Sequence, residues 1–350
     1  MLAETARKAL VATLVAGAVV ILALALWKLK LVIALVFLGF IIAAAMRPGV
    51  EALHRRRIPR GFGVGIHYLA LIGLIGLFLW LVVPRAVTQV QNALGADQLK
   101  HAARTSSGIK HEILVGLQKR LERVPSGSKL IKPAAEVTKR AFEALIGIFF
   151  TLATAAYWIF ERDRAINLVA SLVPRPKRKR LRDTWDLIDL KLGAFVRGQA
   201  LLIVLVGTVL STAFAVIGLP YWLLVGSFAG LVEMVPVIGP LAAGALAIGV
   251  GLTQSWHVAL AAGIAVLSVR LLEDYLILPK VLGEATGLSP LVVLFSVSAV
   301  AILFGGFAVL LAVPLAAVVA TLVDVIVRGR DPAEEEVPTV LFPAKDAEEV

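Results

Sequence analysis

Long apolar runs separated by short polar clusters dominate this chain. Residues 9–26, 31–46, 61–83, 141–160 and 198–217 are each close to the roughly 20 apolar residues a helix needs to cross a bilayer, and the third run carries His67 but no Asp, Glu, Lys or Arg. The first run follows Arg7 and Lys8 but has no convincing small-residue cleavage site, so the pattern predicts a retained helix rather than a leader. Two further stretches have the stripe of an amphipathic helix: Ile109, Ile113, Leu117, Leu121 and Val124, then Leu181, Trp185, Ile188, Leu192 and Phe195. Such stripes pack at a membrane interface or against a neighbouring subunit.

The pattern changes after residue 220. Residues 221–252 form an apolar stretch of about 48 Å if continuously helical, too long for one upright crossing and too short for two full ones. It is interrupted by Glu233, Pro236, Gly239 and Pro240, in "LVEMVPVIGP". Proline removes amide donors, and irregular backbone within a membrane requires protein or a watery cavity around it. Break and carboxylate therefore require the same non-lipid pocket. Two structures fit, a long broken helix or a re-entrant hairpin. Residues 255–272 form another span, and residues 287–323 a second long stretch, interrupted by Gly305, Gly306 and Pro314. "PLAA" occurs at 240–243 and again at 314–317, and "GLSP" at 287 echoes "GLP" at 218. A span followed by a broken element, twice over, is the layout of internally repeated secondary transporters. The expected fold is an all-α integral membrane protein with about eight membrane-embedded segments, two of them broken helices or hairpins.

Composition agrees: 59% of residues are hydrophobic and the mean hydropathy is +0.90. The net charge is +11, but the tail 331–350 holds seven acidic residues and one lysine, a net −6, so residues 1–330 carry +17. A basic soluble protein would point to nucleic acid. Here the basic residues lie between apolar runs, the distribution of cytoplasmic loops, and no nucleic-acid partner is expected. The clusters at 47–60 and 161–183 place both termini in the cytoplasm. Segment 85–140 then falls outside despite eleven basic residues against four acidic ones, a length at which the charge rule weakens. If both broken elements are hairpins, Arg270 and Lys280 lie on the cytoplasmic side. The expected organisation is three spans in 1–84, an amphipathic extracytoplasmic segment at 85–140, a transport core at 141–330 with a cytoplasmic basic loop at 161–197, and a disordered acidic tail at 331–350.

With no cysteine, the chain has no disulfide framework, thiolate metal site or catalytic thiol. It contains no HExxH, Gly-x-Ser-x-Gly or phosphate-binding P-loop, so neither enzyme chemistry nor ATP-driven transport by this chain is expected, and no cofactor. His67 and His257 lack ligand spacing, and no metal site is expected. Arg270 lies one turn from Glu273 and Asp274, as Asp324 does from Arg328, which makes intrahelical ion pairs. Arg197 would snorkel at a span end. An intramembrane carboxylate usually lines a pathway, which makes Glu233 the leading site residue.

"LVEMVPVIGP" resembles the "E-x-x-P-x-x-G-P" signature of the autoinducer-2 exporter family, the PerM-like permeases. Residues 271–317 resemble that family's C-terminal signature, through Glu273, Pro279, Gly283, Pro290, Gly305, Gly306 and Pro314. The layout of spans fits to about Arg328. Members often carry Gln and Asn where this chain has Arg270 and Asp274. The resemblance implies a multi-pass inner-membrane transporter, a homo-oligomer, that exports a small polar molecule such as autoinducer-2 or exchanges sodium or lithium for protons. The first cargo calls for neutral polar groups such as Gln199, Thr208, Ser211 and Ser227 facing a cavity. The second calls for a titrating carboxylate among Glu233, Glu273 and Asp274. A non-transporting scaffold would need neither the breaks nor the carboxylate.

Overall fold

The computed structural model describes residues 2–94, 131–236, 238–277, 288–335 and 337. The stripe at 109–124, most of segment 85–140, Pro279, Gly283 and the end of the tail lie outside the described residues. The chain is all-α, and among the described residues six helical stretches, the last of them Gly306–Ile326, are long and apolar enough to cross a membrane. In order, the helices are α1 (Leu2–Lys28), α2 (Lys30–Arg55), α3 (Arg60–Leu94), α4 (Ile131–Ser171), α5 (Arg175–Ile217), α6 (Trp222–Val232), α7 (Ile238–Gln254), α8 (Trp256–Leu272), α9 (Pro290–Phe304) and α10 (Ala312–Ile326). A π-turn, Glu273–Ile277, extends α8, and a 3-10 turn, Gly306–Leu311, precedes α10. Most of the surface of α1 and α3 is exposed apolar side chain, which in water would be a severe cost and in lipid is none.

Residues 161–197 differ from expectation. They are not a loop but the ends of α4 and α5, joined by a tight turn at 172–174. The stripe from Leu181 to Phe195 runs without interruption into the span that follows, so α5 is one helix of 43 residues. Pro174 fits just before its first turn, and Gly218, at φ 76°, ends it in the left-handed conformation that glycine adopts without strain. Arg197 does not snorkel. It is buried, and its Nη1 donates to the Ala45 carbonyl of α2 at 3.3 Å.

Both broken elements are hairpins. Val225 and Ala229 of α6 pack with Ala243 and Ala247 of α7 in one buried cluster, a pairing that requires antiparallel arms. In the same way Val297 and Val300 of α9 pack with Ala308 and Ala312, around a reversal at Gly305, where φ is 90°. Pro314 does not make this break, because it sits in the first turn of α10, where its missing amide costs little. At 11 residues, α6 is about 16 Å long and cannot cross a hydrocarbon core of roughly 30 Å by itself. The eight expected segments thus become ten helices among the described residues.

Small residues set the packing of α6 on α5. A Cβ on Gly226 would meet Ser211, and one on Gly230 would lie 2.7 Å from Gly207 Cα and 2.6 Å from the Ile203 carbonyl. Gly207 and Ser211 are one turn apart on α5, as Gly226 and Gly230 are on α6. This is the small-xxx-small arrangement by which membrane helices approach closely without a hydrophobic driving force. It locks the first hairpin against the longest helix and so fixes the position of its tip.

The acidic tail also departs from expectation. Glu335 forms an ion pair with Lys191 at 2.5 Å, Lys191 is 5% exposed and donates to Thr321 Oγ1 at 3.2 Å, and Val337 is buried with Leu187 and Ala194. The beginning of the tail is therefore docked on α5 through Glu335 and Val337.

Candidate functional site

Glu233 ends α6. The chain reverses between Glu233 and α7, and the motif residues each have a physical part in the reversal. The Val235 amide donates to the Val232 carbonyl at 2.9 Å, and the Ile238 amide to the Pro236 carbonyl at 2.7 Å. These are the carbonyls that Pro236 and Pro240 would leave without amide partners in a straight helix. The turn satisfies both locally, so they are not open to a passing solute, as a simple proline break would make them. Gly239 is packed so tightly that a Cβ there would strike the Val232 carbonyl. Pro240 lies in the first turn of α7. The Glu233 carbonyl is capped from α5, where Gln199 Nε2 donates to it at 3.0 Å. Gln199 thus holds the hairpin tip in place, and its amide is turned to backbone rather than to cargo.

The Glu233 side chain meets α8. Arg270 Nη1 lies 3.3 Å from Glu233 Oε1 and 3.4 Å from Glu273 Oε2, and Arg270 Nη2 lies 2.8 Å from Asp274 Oδ1. Burial grades across the cluster. Glu233 is 7% and Glu273 2% exposed, whereas Arg270 and Asp274 retain 30% and 39% of side-chain exposure. One guanidinium therefore serves three carboxylates, two of them removed from solvent, leaving a formal excess of negative charge at the hairpin tip. Glu233 and Glu273 also line a cavity closed by Val206, Leu210, Ala229 and Val269, whose free interior is about 10 Å³. That is room for about one water molecule. In this conformation the site is shut.

The cluster lies toward the basic end of the bundle rather than at mid-depth. Ser255, which caps α8 by accepting from the Val258 amide, and Arg270 are separated by roughly 22 Å of helix. The second hairpin points the other way: Lys30 Nζ, at the start of α2, donates to the Leu303 carbonyl beside its tip at 3.5 Å. Ala45, bonded to Arg197 near the first tip, is roughly 22 Å from Lys30 along α2. Gly305 and Gly306 are therefore far from Glu233, and the structure does not bring the two breaks together. Two oppositely directed hairpins on one bundle match the inverted arrangement of repeat-built transporters.

The family model for AI-2E family transporters matches residues 16–328. The chain belongs to the AI-2E transporter family. It is similar to the putative transport protein YrrI of Bacillus subtilis, with 28% identity over 312 residues covering 82% of this chain and 86% of that protein. A putative transport protein of Mycobacterium tuberculosis, MT0215, is 25% identical, with 89% and 88% covered. The putative permease PerM of Escherichia coli is 24% identical, with 55% and 57% covered. This AI-2E family chain is thus a multi-pass membrane transporter; the first signature motif forms the tip of the first hairpin, and Pro290, Gly305, Gly306 and Pro314 of the second lie in the second hairpin, while Glu273 belongs to the turn that extends α8.

Of the neutral groups expected to face a cavity, Ser211 is packed against Gly226 and Thr208 is exposed. Neither these nor Ser227 lines the closed cavity beside Glu233. Several charged residues escaped the sequence reading. Buried Arg162 binds Asp189 and Asp186 together, with Asp163 at 3.2 Å, and Arg47 lies 3.7 Å from Asp189. This network ties α2, α4 and α5 at their basic end. Its available signal was Asp186 and Asp189 at three-residue spacing inside a positively charged stripe. His67 proves to be a packing group: its Nδ1 bonds to the Gly63 carbonyl at 2.8 Å and its ring lies against Gly49 of α2.

Proposed function

We propose that this chain is an inner-membrane transporter with both termini in the cytoplasm, assembled as a homo-oligomer, which exports a small polar molecule such as the autoinducer-2 signal. The observation that carries the reading is the placement of Glu233: a buried carboxylate at a hairpin tip, held by an arginine from the next helix. Such a charge is costly within a membrane and is maintained where ions or polar solutes pass. Arg270 has three carboxylates within reach, so it can exchange one for another as the tip shifts. The description of the family supports the cargo.

A second reading is sodium or lithium exchange for protons. The excess of carboxylates over arginine at the site favours it, since such a cluster binds a small cation or a proton in place of the missing positive charge. Everted vesicles containing the protein separate the two. Adding sodium or lithium and following a pH-sensitive dye reports antiport. Uptake of labelled autoinducer-2 into the same vesicles, without a cation-dependent pH change, reports export. Absence of both activities would overturn the transport assignment for these cargoes.

A further inference from the structure

A second cavity lies between α2, α4, α5 and α10, separate from the Glu233 cluster. We propose that it holds an acyl chain of an anionic phospholipid, with the lipid's headgroup phosphate against Lys177 at the mouth. The cavity measures about 620 Å³, within the roughly 300–1,000 Å³ of ordinary ligand sites. Its walls are apolar and aromatic: Phe40 and Trp158 stack with centroids 4.3 Å apart, and Trp158 lies 5.9 Å from Trp185. Leu322 and Ile326 of α10 form the opposite wall and are themselves partly exposed. The cavity thus sits among membrane helices, at the level where tryptophans gather at the membrane interface.

Charge at the mouth selects the occupant. The segment "RPKRKRLR", 175–182, holds six basic residues and no acid. Most of its arginines are engaged by the protein. Arg178 donates to the Val173 and Ser171 carbonyls, Arg180 to those of Val325 and Arg330, and Arg182 to Asn167. Lys177 lines the mouth, is exposed, and has no carboxylate partner among the described residues. The one carboxylate on the cavity wall, Asp189, is held by Arg162 and Arg47. An apolar cavity between membrane helices with an uncommitted ammonium at its entrance matches a lipid with an anionic headgroup, the partner that basic pockets between membrane helices bind on the cytoplasmic side.

The test uses the full chain in detergent, titrated with phosphatidylglycerol or phosphatidylcholine of matched acyl chains and read by native mass spectrometry. Phosphatidylglycerol is expected to bind more tightly, and Lys177→Gln to weaken it about fivefold, the equivalent of about 1 kcal/mol for one basic residue at the surface. Phosphatidylglycerol carrying a diazirine at the end of one acyl chain should label peptides containing Trp158 or Trp185. Leu322→Trp, which fills the cavity from α10, should abolish that labelling. Glycerol phosphate at millimolar concentration should not displace the lipid. Equal binding of the two lipids, displacement by glycerol phosphate, or labelling confined to other helices would overturn the proposal. So would a cross-link at these positions to a second copy of the chain, which would make the cavity a subunit interface. If Leu322→Trp fails to fold, Phe40→Trp provides the same filling from α2.

Discussion

Arg270 on α8 reaches Glu233 at the end of α6, with Nη1 and Oε1 3.3 Å apart, while the same nitrogen lies 3.4 Å from Glu273 on its own helix. The pair couples the tip of the first hairpin to the helix that follows it. Removing the arginine leaves two buried carboxylates without their counter-charge. Arg270→Gln is expected to destabilise the protein by about 3–5 kcal/mol, the usual result of breaking one side of a buried pair. Glu233→Gln should cost less, and Arg270→Gln combined with Glu233→Gln should recover part of the loss. Thermal unfolding in one detergent measures all three. Additive losses in the double variant would deny the coupling.

Gly239 tests the turn. An added methyl would strike the Val232 carbonyl, so Gly239→Ala should cost roughly 1–3 kcal/mol through displaced backbone. Gly306→Ala provides the control, since nothing lies within 4 Å of a Cβ there. The ratio of folded to aggregated protein on size exclusion, together with the melting temperature, should fall for the first variant and hold for the second. Equal behaviour would mean that the first hairpin is not closed as described.

Truncation after Arg330 tests the docked tail. It removes Glu335 and Val337, leaving buried Lys191 with only the Thr321 hydroxyl among the described residues. A loss of about 3–5 kcal/mol is expected from the uncompensated ammonium. Lys191→Met in the truncated chain should restore most of it, because the methionine fills the same space without a charge. A truncated protein as stable as the full chain would show that the contact contributes nothing.

The orientation can be read by labelling, because the chain has no cysteine of its own. Ser171→Cys lies at the turn between α4 and α5, and Thr253→Cys at the end of α7. Both residues are exposed. An impermeant maleimide applied to intact cells should modify the second and spare the first, with the pattern reversed in everted vesicles. Labelling of Ser171→Cys in intact cells would invert the assignment of the termini.

The first hairpin was legible in the sequence because its signals are local. A carboxylate, two prolines and a glycine in eight residues of apolar chain announce a break whatever the tertiary structure, and Arg270 with Asp274 follows from helical spacing alone. What joins Glu233 to Arg270 and Gln199 is contact between residues 34 to 37 positions apart, which no periodicity records. The same holds for Arg197, whose place at a span end reads as snorkelling until α2 is seen to cover it. The tail misled through its composition: seven acids signal disorder, but one of them meets a buried lysine 144 positions earlier, as Lys191 with Glu335 illustrates. The choice between a broken helix and a hairpin was open for a similar reason. Prolines fix where a chain turns, and the packing of Ala229 and Ala243 fixes how far.

The central claim is that the carboxylate at the hairpin tip belongs to the transport path. The most direct measurement is transport by purified Glu233→Gln in proteoliposomes, compared with wild type at matched protein content across pH 5.5 to 8.5. The substitution keeps size and hydrogen bonding and removes the charge. Flux of the cargo identified for the wild type should fall about tenfold, the equivalent of about 1.4 kcal/mol, and its dependence on pH should flatten, while the melting temperature stays near that of wild type. Flux and pH dependence indistinguishable from wild type would contradict the claim, and would leave Glu233 as a structural partner of Arg270 alone.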